Sequence, residues 1–435
     1  MGLFETTNAF GKDTWLPGLN YELLSEPGTL LGWLGSYADS RVTVDIEGRR
    51  SYLKLRIGDS LGQATIAQGG NYPDPGDPTY DEATLSLAHL AHAISFTMEE
   101  MAMLESAQAA AVPIMAEKMT AAKEAMSSDI ERQAWGDGTG ILANVASEVG
   151  STFTLDAVAT VQTDRDRYLW IDDANRARYD IVHGTTGAQQ KTGFTISDID
   201  EATNIITGSA DMGDVTSDGV VVRSGSWDAA GSFRSLEMPG IRAMIDTDNT
   251  YMGIDRTAAG KGFWKSVVVA GSSGTLRPLT EELIHTVMNR LARRAGRQPG
   301  GDYAGFASFG TYTAYHQIIT PGLRYTVDST PDIGFGRPLE MLGVPLYRGA
   351  RCPRNGIRLL KKDSIKFVRP MHNKPGDLLN FVNLGGSEFF LKNASSGQGH
   401  SAAVVSYLDG FLGMMTTRPR DHALLDDISE VAGSY

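Results

Sequence analysis

The feature that most constrains the fold is a long amphipathic helix signal between residues 98 and 135. Apolar residues recur there at intervals of three or four, the period of one helix face. These residues are Val112, Met115, Met119, Ala122, Met126 and Ile130. At ~1.5 Å per residue the predicted helix exceeds ~50 Å, and Pro113 is expected to kink it or split it in two. Such a stripe indicates packing against a sheet rather than a ligand site.

A glycine-rich turn follows this helix and contains Gly136, Asp137, Gly138 and Gly140. Glycines beside an acidic residue can form a phosphate-binding loop, but such a loop precedes a helix, whose N-terminus holds the phosphate. Here the glycines come after the helix, and no second strong helix begins at Gly140. The order therefore predicts a helix stop and a chain reversal, with Asp137 as a hydrogen-bond acceptor inside the turn.

Two strand-like runs precede the helix, at residues 49–58 and 83–97. The segment between them is dense in Gly, Pro and Asp, which is typical of irregular structure. Together these segments predict a long two-stranded hairpin with an irregular tip. Residues 1–47 resemble an extended arm with scattered apolar side chains. Because an isolated hairpin is only marginally stable in water, we expect both elements to lie on another surface.

The chain after the turn is rich in short strand signals. Residues 151–237 alternate short apolar runs with Thr, Asp and Gly, which predicts a small all-β unit. A second helix is predicted at 280–295, with Thr280 at its start and Gly296 just past its end. Strand-like runs continue to an apolar segment at residues 401–417. The expected fold class is therefore α+β.

The charge and composition exclude some classes of protein. The 435-residue chain has a formal net charge of −13, whereas proteins that grip nucleic acid need a basic face. The single cysteine, Cys352, excludes an internal disulfide framework. The N-terminus lacks the pattern of a signal peptide, and no apolar run is long enough for a transmembrane helix. We therefore expect no membrane partner.

Four groups of side chains could carry chemistry. They are His89 with His92, Asp211 with Asp214 and Asp218, Arg290 with Arg293, Arg294 and Arg297, and Cys352. The two histidines are three apart, which puts them on opposite faces of a strand, and the aspartates lack the spacing of a calcium loop. In so acidic a chain the arginines fit a solvated face or salt bridges better than phosphate contacts. No histidine lies near the cysteine in sequence, so we expect no catalytic residue, no metal site and no cofactor.

Several stretches, in chain order, resemble segments of a known family. They are ATIAQGGNYPD at residues 64–74, YDEATLSLAHLAHAISFTMEEM at 80–101, DIERQAWGDGTGILANV at 129–145 and FGRPLEMLGVPLYRGARCPRNGIRLLKKDSIKFV at 335–368. They resemble, in turn, the extended-loop tip, the strand returning to the spine helix, the end of that helix, and a late core strand segment. The family is that of the tailed-phage major capsid proteins, whose Hong Kong-type capsid fold is shared with encapsulin shells.

The resemblance implies a division into five parts. These are an N-terminal arm at 1–47, an extended hairpin loop at 48–92, a peripheral domain at 93–150 and 401–435 with its spine helix at 98–135, a β-rich inserted subdomain at 151–237, and an axial domain at 238–400.

The resemblance also implies a structural function rather than an enzymatic one. Identical copies, arranged as pentamers and hexamers, would form an icosahedral shell around double-stranded DNA, enclosing it without tight sequence-specific binding. The further partners it implies are a portal and a cement protein, in a virion assembled in the host cytoplasm. Because the chain begins almost at its arm, a scaffolding function is expected on a separate protein.

The family comparison places the contact between subunits at the tip of the extended loop. The corresponding residues here are Gln68, Gly69, Gly70, Asn71, Tyr72 and Pro73. Some family members cross-link a hairpin lysine to a neighbouring subunit. The hairpin's only lysine, Lys54, lies near its base, so cross-linking is not expected here.

Three alternatives stay open at the level of sequence. One is an encapsulin-type nanocompartment holding protein cargo, which shares the fold. A second is a β-rich enzyme with an unrecognised site, although convergent His, Cys and carboxylate motifs are missing from the sequence. The third is a tail or decoration protein, for which a long helix after a hairpin is less expected.

Overall fold

The computed structural model describes most of the chain after the predicted arm. The described residues are 29–34, 45–47, 50–56, 64–66, 68, 70–72, 74, 76–97, 108–155, 177–200, 205–209, 215, 218–228, 234–272, 275–319, 339–349, 352–368, 380–381, 390–393 and 400–430. The arm and residues 98–107 of the predicted helix therefore lie largely or wholly outside them.

Helices and strands are interspersed along the described chain. The helices are α1 (Thr29–Leu34), α2 (Gln108–Trp135), α3 (Ile241–Met244), α4 (Glu281–Ala295) and α5 (Phe309–Ile319). The strands of the first half are β1 (Asp45–Glu47), β2 (Arg50–Arg56), β3 (Tyr80–Ser86), β4 (Ala88–Thr97), β5 (Ile141–Val149), β6 (Thr152–Leu155), β7 (Tyr179–His183), β8 (Gln189–Phe194), β9 (Ile196–Asp200), β10 (Ile205–Gly208) and β11 (Gly219–Arg223). The later strands are β12 (Trp227–Asp228), β13 (Arg234–Ser235), β14 (Thr250–Tyr251), β15 (Ile254–Asp255), β16 (Val267–Val269), β17 (Tyr303–Ala307), β18 (Leu339–Met341), β19 (Val344–Arg348), β20 (Ile357–Lys361), β21 (Ile365–Val368), β22 (Asn380–Phe381), β23 (Phe390–Asn393), β24 (His400–Thr416) and β25 (Ala423–Leu425).

The predicted hairpin is formed by β2 and β3, which pair antiparallel from Arg50 opposite Ser86 to Arg56 opposite Tyr80. The short strand β1 continues this sheet on the other side of β2. The prediction of a single returning strand at 83–97 is wrong, because the chain changes sheet at Leu87. From there β4 pairs with β24, between Ala88 opposite Leu412 and Thr97 opposite Ala403. The hairpin itself therefore ends before residue 92.

Helix α2 ends at Trp135, where the sequence predicted its stop, and it is one continuous element. Of the two outcomes expected at Pro113, a kink or a split, the split is therefore wrong. Pro113 is the sixth residue of the helix, so the backbone bond lost to its missing N–H lies near the helix end. Ala122, Met126 and Ile130 of the predicted stripe are buried in the main core with residues of β4 and β24. The stripe packs against a sheet, as expected.

The β-rich unit is an antiparallel sheet to which seven of the described strands belong, in the order β8-β7-β11-β5-β6-β10-β9. Strand β5 lies in its middle: its first part, to Asn144, pairs with β11, and from Val145 onward it pairs with β6, with a register shift between Val145 and Ser147. The sheet has its own core, which includes Phe153 and Tyr179. Its first strand begins at Ile141, ten residues before the predicted boundary at 151, because the chain enters the sheet directly from the helix-end turn.

A mixed sheet of six described strands, in the order β16-β25-β20-β17-β19-β18, forms a second body. Helix α4 buries Ile284, Val287 and Leu291 against it. The helix has the predicted ends, because the Thr280 side chain accepts a hydrogen bond from Leu283 N at 3.3 Å and Gly296 is left-handed at φ 72°.

Strand pairing does not respect the predicted boundary between the axial domain, which ends at residue 400, and the peripheral domain, which resumes at residue 401. Strands β21, β22 and β23, inside the range predicted for the axial domain, pair with β24 instead. Conversely, β25 lies beyond residue 400 and pairs with β16 and β20 of the mixed sheet. Strand contacts over such sequence distances depend on tertiary packing, which local patterns do not encode. The division of the chain into domains stays a proposal.

Candidate functional site

The base of the hairpin is fixed to the body of the protein. Ser51 is buried on β2, and Ala83 and Leu85 are buried on β3, at the alternate positions that share one face of a strand. The backbone N–H of Thr84 donates to the carbonyl oxygen of Met252 at 2.8 Å. The face of the hairpin toward the body is therefore part of the core. This burial stabilises a hairpin that would be only marginally stable in isolation.

An ion pair reinforces this base. The Lys261 ammonium contacts the Asp81 carboxylate, and its hydrogen bond lowers the pKa of Asp81 below its ordinary value. Both side chains are partly exposed, so the pair orients the hairpin and contributes little to stability.

The tip of the hairpin is exposed. Gln68, Gly70, Asn71 and Tyr72 are all exposed, and Tyr72 exposes 88% of its surface. Gly69 and Pro73, the other predicted contact residues, lie outside the described residues. Beside the tip, Ile66 and Tyr80 are exposed at 38% and 66%. These exposed apolar side chains, all on one hairpin, make the tip a candidate interaction surface.

The turn after α2 is held by hydrogen bonds among its own residues and those of the helix end. The N–H of Gly136 lies 3.1 Å from the carbonyl oxygens of both Arg132 and Gln133, which continues the helical pattern. Asp137 Oδ1 accepts from Thr139 N at 2.8 Å and from Thr139 Oγ1 at 2.6 Å. The backbone becomes left-handed only beyond Asp137, at Gly138 and Gly140.

Gly138 has φ 85° and Gly140 has φ 69°, whereas Gly136 is not left-handed. Only the last two glycines are therefore required for their backbone angles. Gly138 is also tightly packed, because a Cβ there would lie 2.9 Å from Pro239 Cα.

A strap at residues 237–240 crosses the end of α2 at very close range. A Cβ on Gly240 would lie 2.3 Å from the carbonyl oxygen of Gln133 and 2.4 Å from that of Ala134. The Gln133 side chain also accepts a hydrogen bond from Met238 N at 3.2 Å. The Pro239-Gly240 pair is a turn signal in the sequence, but its contact with the helix becomes visible only in the folded chain.

A partly buried charge cluster joins the same helix end to the strap and to the β-rich sheet. Arg132 donates to Glu237 Oε2 at 2.9 Å and to Asp129 Oδ1 at 3.0 Å, and Arg223 of β11 donates to Asp129 at 3.1 Å. Burial raises the pKa of Asp129, but the two guanidinium groups outweigh this effect and lower it below its ordinary value. Burial opposes the charge of Arg132, yet Glu237 and Asp129 raise its pKa.

This cluster decides between the two roles considered for the glycine turn. The nearest buried cation, Arg132, already has two carboxylate partners. The helix end also presents carbonyl oxygens, which repel anions. The turn is therefore a packed structural junction and has no arrangement for holding a phosphate.

The histidine pair lies on β4, as predicted, and is not brought together. His89 contacts the Asp409 carboxylate and stacks on Phe411 with ring centroids 4.6 Å apart. His92 lines a cleft near Arg223, and burial followed by the charge of Arg223 lowers its pKa. Within the described residues no group of three or more His, Cys, Asp and Glu side chains could hold a metal ion.

The other candidate residues have ordinary surroundings. Asp218 lies 3.6 Å from His183, while Asp211 and Asp214 fall outside the described residues. Arg297 pairs with Asp302 at 3.4 Å. The Cys352 side chain is 1% exposed, so the thiol cannot meet a substrate.

The structure adds a buried polar network that the sequence did not indicate. His422 Nε2 lies 2.9 Å from both Ser364 Oγ and Thr416 Oγ1, and its Nδ1 accepts from Lys361 N at 3.3 Å. Burial lowers the pKa of His422 to about 4, so the ring is neutral at pH 7. A serine beside a histidine resembles a nucleophile and its base, but His422 has no exposed surface. The network therefore holds strands together, and no substrate reaches it.

Comparison with solved structures identifies the fold. The chain is similar to a chain of the cyanophage A-1(L) capsid asymmetric unit, with TM-score 0.50 and 12% identity over 93% of each chain. It is also similar to a chain of the capsid of the native GTA particle, with TM-score 0.42 and 10% identity over 89% of this chain and 87% of that one. For the holo-SrpI encapsulin complex from Synechococcus elongatus the TM-score is 0.39, with 11% identity over 90% and 86%. No family model and no curated protein matches the sequence.

The likeness to the cyanophage capsid chain covers nearly the whole of both chains. It shows that the chain has the Hong Kong-type capsid fold, and the prediction of this fold and of the α+β class is confirmed. Among the described helices, none is both long and apolar enough to cross a membrane.

Proposed function

We propose that this chain is a major capsid protein, which self-assembles into the icosahedral shell that encloses the double-stranded DNA of a tailed phage. The observation that carries the proposal is the capsid fold over 93% of the chain. The hairpin supports it, because its base is built into the core while its tip exposes apolar residues such as Tyr72.

The exposed tip explains why many copies would associate. A surface of this kind loses its contact with water when it lies on another subunit, and burial of apolar area is the main favourable term in association. In this proposal residues 68–73 form the contact between subunits. Subunits would pack as pentamers and hexamers, with portal, scaffolding and cement proteins as further partners in the virion.

The domain division belongs to the same proposal. The arm at 1–47 and the hairpin would reach neighbouring subunits, α2 would serve as the spine of a peripheral domain, and the mixed sheet would form the axial domain. The seven-stranded sheet, from Ile141 to Arg223, would be an insertion on this plan.

The acidic charge is compatible with a container for DNA. A net charge of −13 disfavours tight binding to phosphates, and a closed wall confines DNA without binding it. The helix-end turn then has a mechanical role, since it fixes the spine helix to the strap and to the β-rich sheet.

Negative-stain electron microscopy of the purified protein tests the proposal. We expect closed shells tens of nanometres across. Material that stays monomeric or dimeric under all assembly conditions, including with a scaffolding protein, would contradict it. Shells whose interior holds protein cargo and no nuclease-protected DNA would identify the encapsulin alternative instead.

A further inference from the structure

The exposed face of α4 carries opposite charges at its two ends. Glu281 and Glu282 are exposed in its first turn, and Arg290 and Arg293 are exposed near its end. The glutamates are separated from Arg293 by more than ten residues, or ~17 Å along the helix, so the two ends cannot pair within one copy. Helix dipoles favour this arrangement, but a dipole neutralises neither end.

The arginine end borders a cleft and has no acidic partner in the described chain. Arg290, Arg293 and Arg294 line a cleft of about 650 Å³ beside the edge strand β16. Arg294 donates to the carbonyl oxygen of Gly262 at 2.6 Å. Within the described residues, no carboxylate lies at ion-pair distance from any of these three arginines. Arg420 adds a further positive charge close to Arg294.

The acidic end has no arginine or lysine partner among the described residues. Glu281 lies 3.8 Å from His285, and 80% of its side chain is exposed. Glu282 makes no ion pair with a described residue. One helix thus exposes two patches of opposite sign, and neither is neutralised by an arginine, lysine or carboxylate side chain of the described residues. The net charge of −13 makes a basic patch uncommon in this chain.

We propose that the arginine patch (Arg290, Arg293 and Arg294) binds the acidic first turn of α4 (Glu281 and Glu282) in a second copy of this chain. Rings of identical subunits use head-to-tail contacts, in which two different patches of one chain meet. Such a ring needs complementary patches, and the two ends of α4 supply them. Guanidinium and carboxylate groups form paired hydrogen bonds, which fix the orientation of one subunit on the next. The inference rests on the proposed shell and names one contact within it.

Charge reversal at each end, followed by the combination, tests the contact. Arg290→Glu with Arg293→Glu should raise the protein concentration needed for shell assembly by about tenfold or more, because like charges then face each other. Glu281→Arg with Glu282→Arg should do the same. The four substitutions together should restore assembly in large part, because the reversed charges at positions 290 and 293 again face charges of opposite sign; Arg294 is kept because its side chain donates to Gly262 O. The matched control is Arg178→Glu with Arg234→Glu, which changes the net charge equally at exposed sites on or beside the β-rich sheet.

Assembly is measured by sedimentation and electron microscopy, and folding of each variant by circular dichroism. Reversal variants that assemble like the wild type would overturn the inference, as would a folded four-substitution variant that does not assemble. Loss of binding to a duplex oligonucleotide on Arg290→Glu with Arg293→Glu, without loss of shells, would show a phosphate contact instead. If the wild type itself forms no shells, the proposed function fails and this inference with it.

Discussion

At the scale of single residues, the junction at the end of α2 depends on the absence of a side chain. Gly240 faces the carbonyl oxygens of Gln133, Ala134 and Gly136, and a Cβ would lie 2.3 to 2.6 Å from them. Backbone atoms of a helix end cannot move aside as the end of a flexible side chain can. The strap therefore approaches the helix only because residue 240 is glycine.

The substitution Gly240→Ala should lower the free energy of unfolding by about 3 kcal/mol, because it forces the strap away from the helix. Chemical denaturation measures this change. Gly300→Ala is the matched control, since a Cβ there meets no atom within 4 Å and its φ is not left-handed. Equal stability of the two variants would contradict the packing described for the strap.

The buried His422 predicts a pH dependence of stability. Its pKa is lowered from 6.5 to about 4 in the folded chain, so between these values the unfolded chain binds more protons. The stability that comes from the neutral ring is complete above pH 6.5 and is lost as the pH falls toward 4. The loss amounts to about 3 kcal/mol.

Denaturation of the wild type and His422→Gln across this pH range measures the effect. The variant should lack this part of the pH dependence, whereas His285→Gln, at an exposed position on α4, should keep it. Parallel curves for the wild type and His422→Gln would show that the ring is not held neutral by the fold.

At the scale of elements, the base of the hairpin is buried in the core of its own subunit, whereas the tip is exposed. Ala83 and Leu85 are in the core, whereas Tyr72 is 88% exposed. Replacement of residues 62–78 by a short glycine linker should therefore leave cooperative thermal unfolding close to that of the full chain, while shells are lost. Calorimetry and electron microscopy measure the two properties. Unfolding of the shortened chain would show that the tip stabilises its own subunit.

A single substitution separates the tip's contacts from its length. Tyr72→Ser should weaken assembly without changing the subunit's stability, because the side chain touches little of its own subunit. Val149→Ser is the control, since Val149 is 77% exposed at the far end of β5. Equal assembly of both variants would remove Tyr72 from the proposed contact.

The elements differ in how far the sequence predicts them. Helix α4 has its N-cap at Thr280 and its left-handed Gly296, and the stop of α2 lies at Trp135, because these signals are local. The pairing of β4 with β24 joins positions about 300 residues apart, such as Ala88 and Leu412. No local pattern identifies a pairing partner so distant in sequence. The change from the hairpin to the sheet of β24 at Leu87 therefore has no local signal, and the sequence predicts one returning strand.

At the scale of the whole molecule, the order of segments indicated the capsid fold although each motif was weak. The hairpin, the spine helix, its glycine stop and the late strands lie in the order that the fold requires. The parts of the candidate site that the sequence missed are contacts between distant segments. Arg132 with Glu237, Gly240 against Gln133, and His422 with Ser364 each join residues whose proximity only the folded chain creates.

In the proposed function, copies of this chain close into a shell through their exposed hairpin tips. A cryo-electron microscopy reconstruction of the purified particles tests it most directly. We expect an icosahedral shell in which the tip around Tyr72 lies on a neighbouring subunit. A shell in which each tip packs on its own subunit would contradict the proposed role of the hairpin, and a protein that forms no shell would contradict the proposed function.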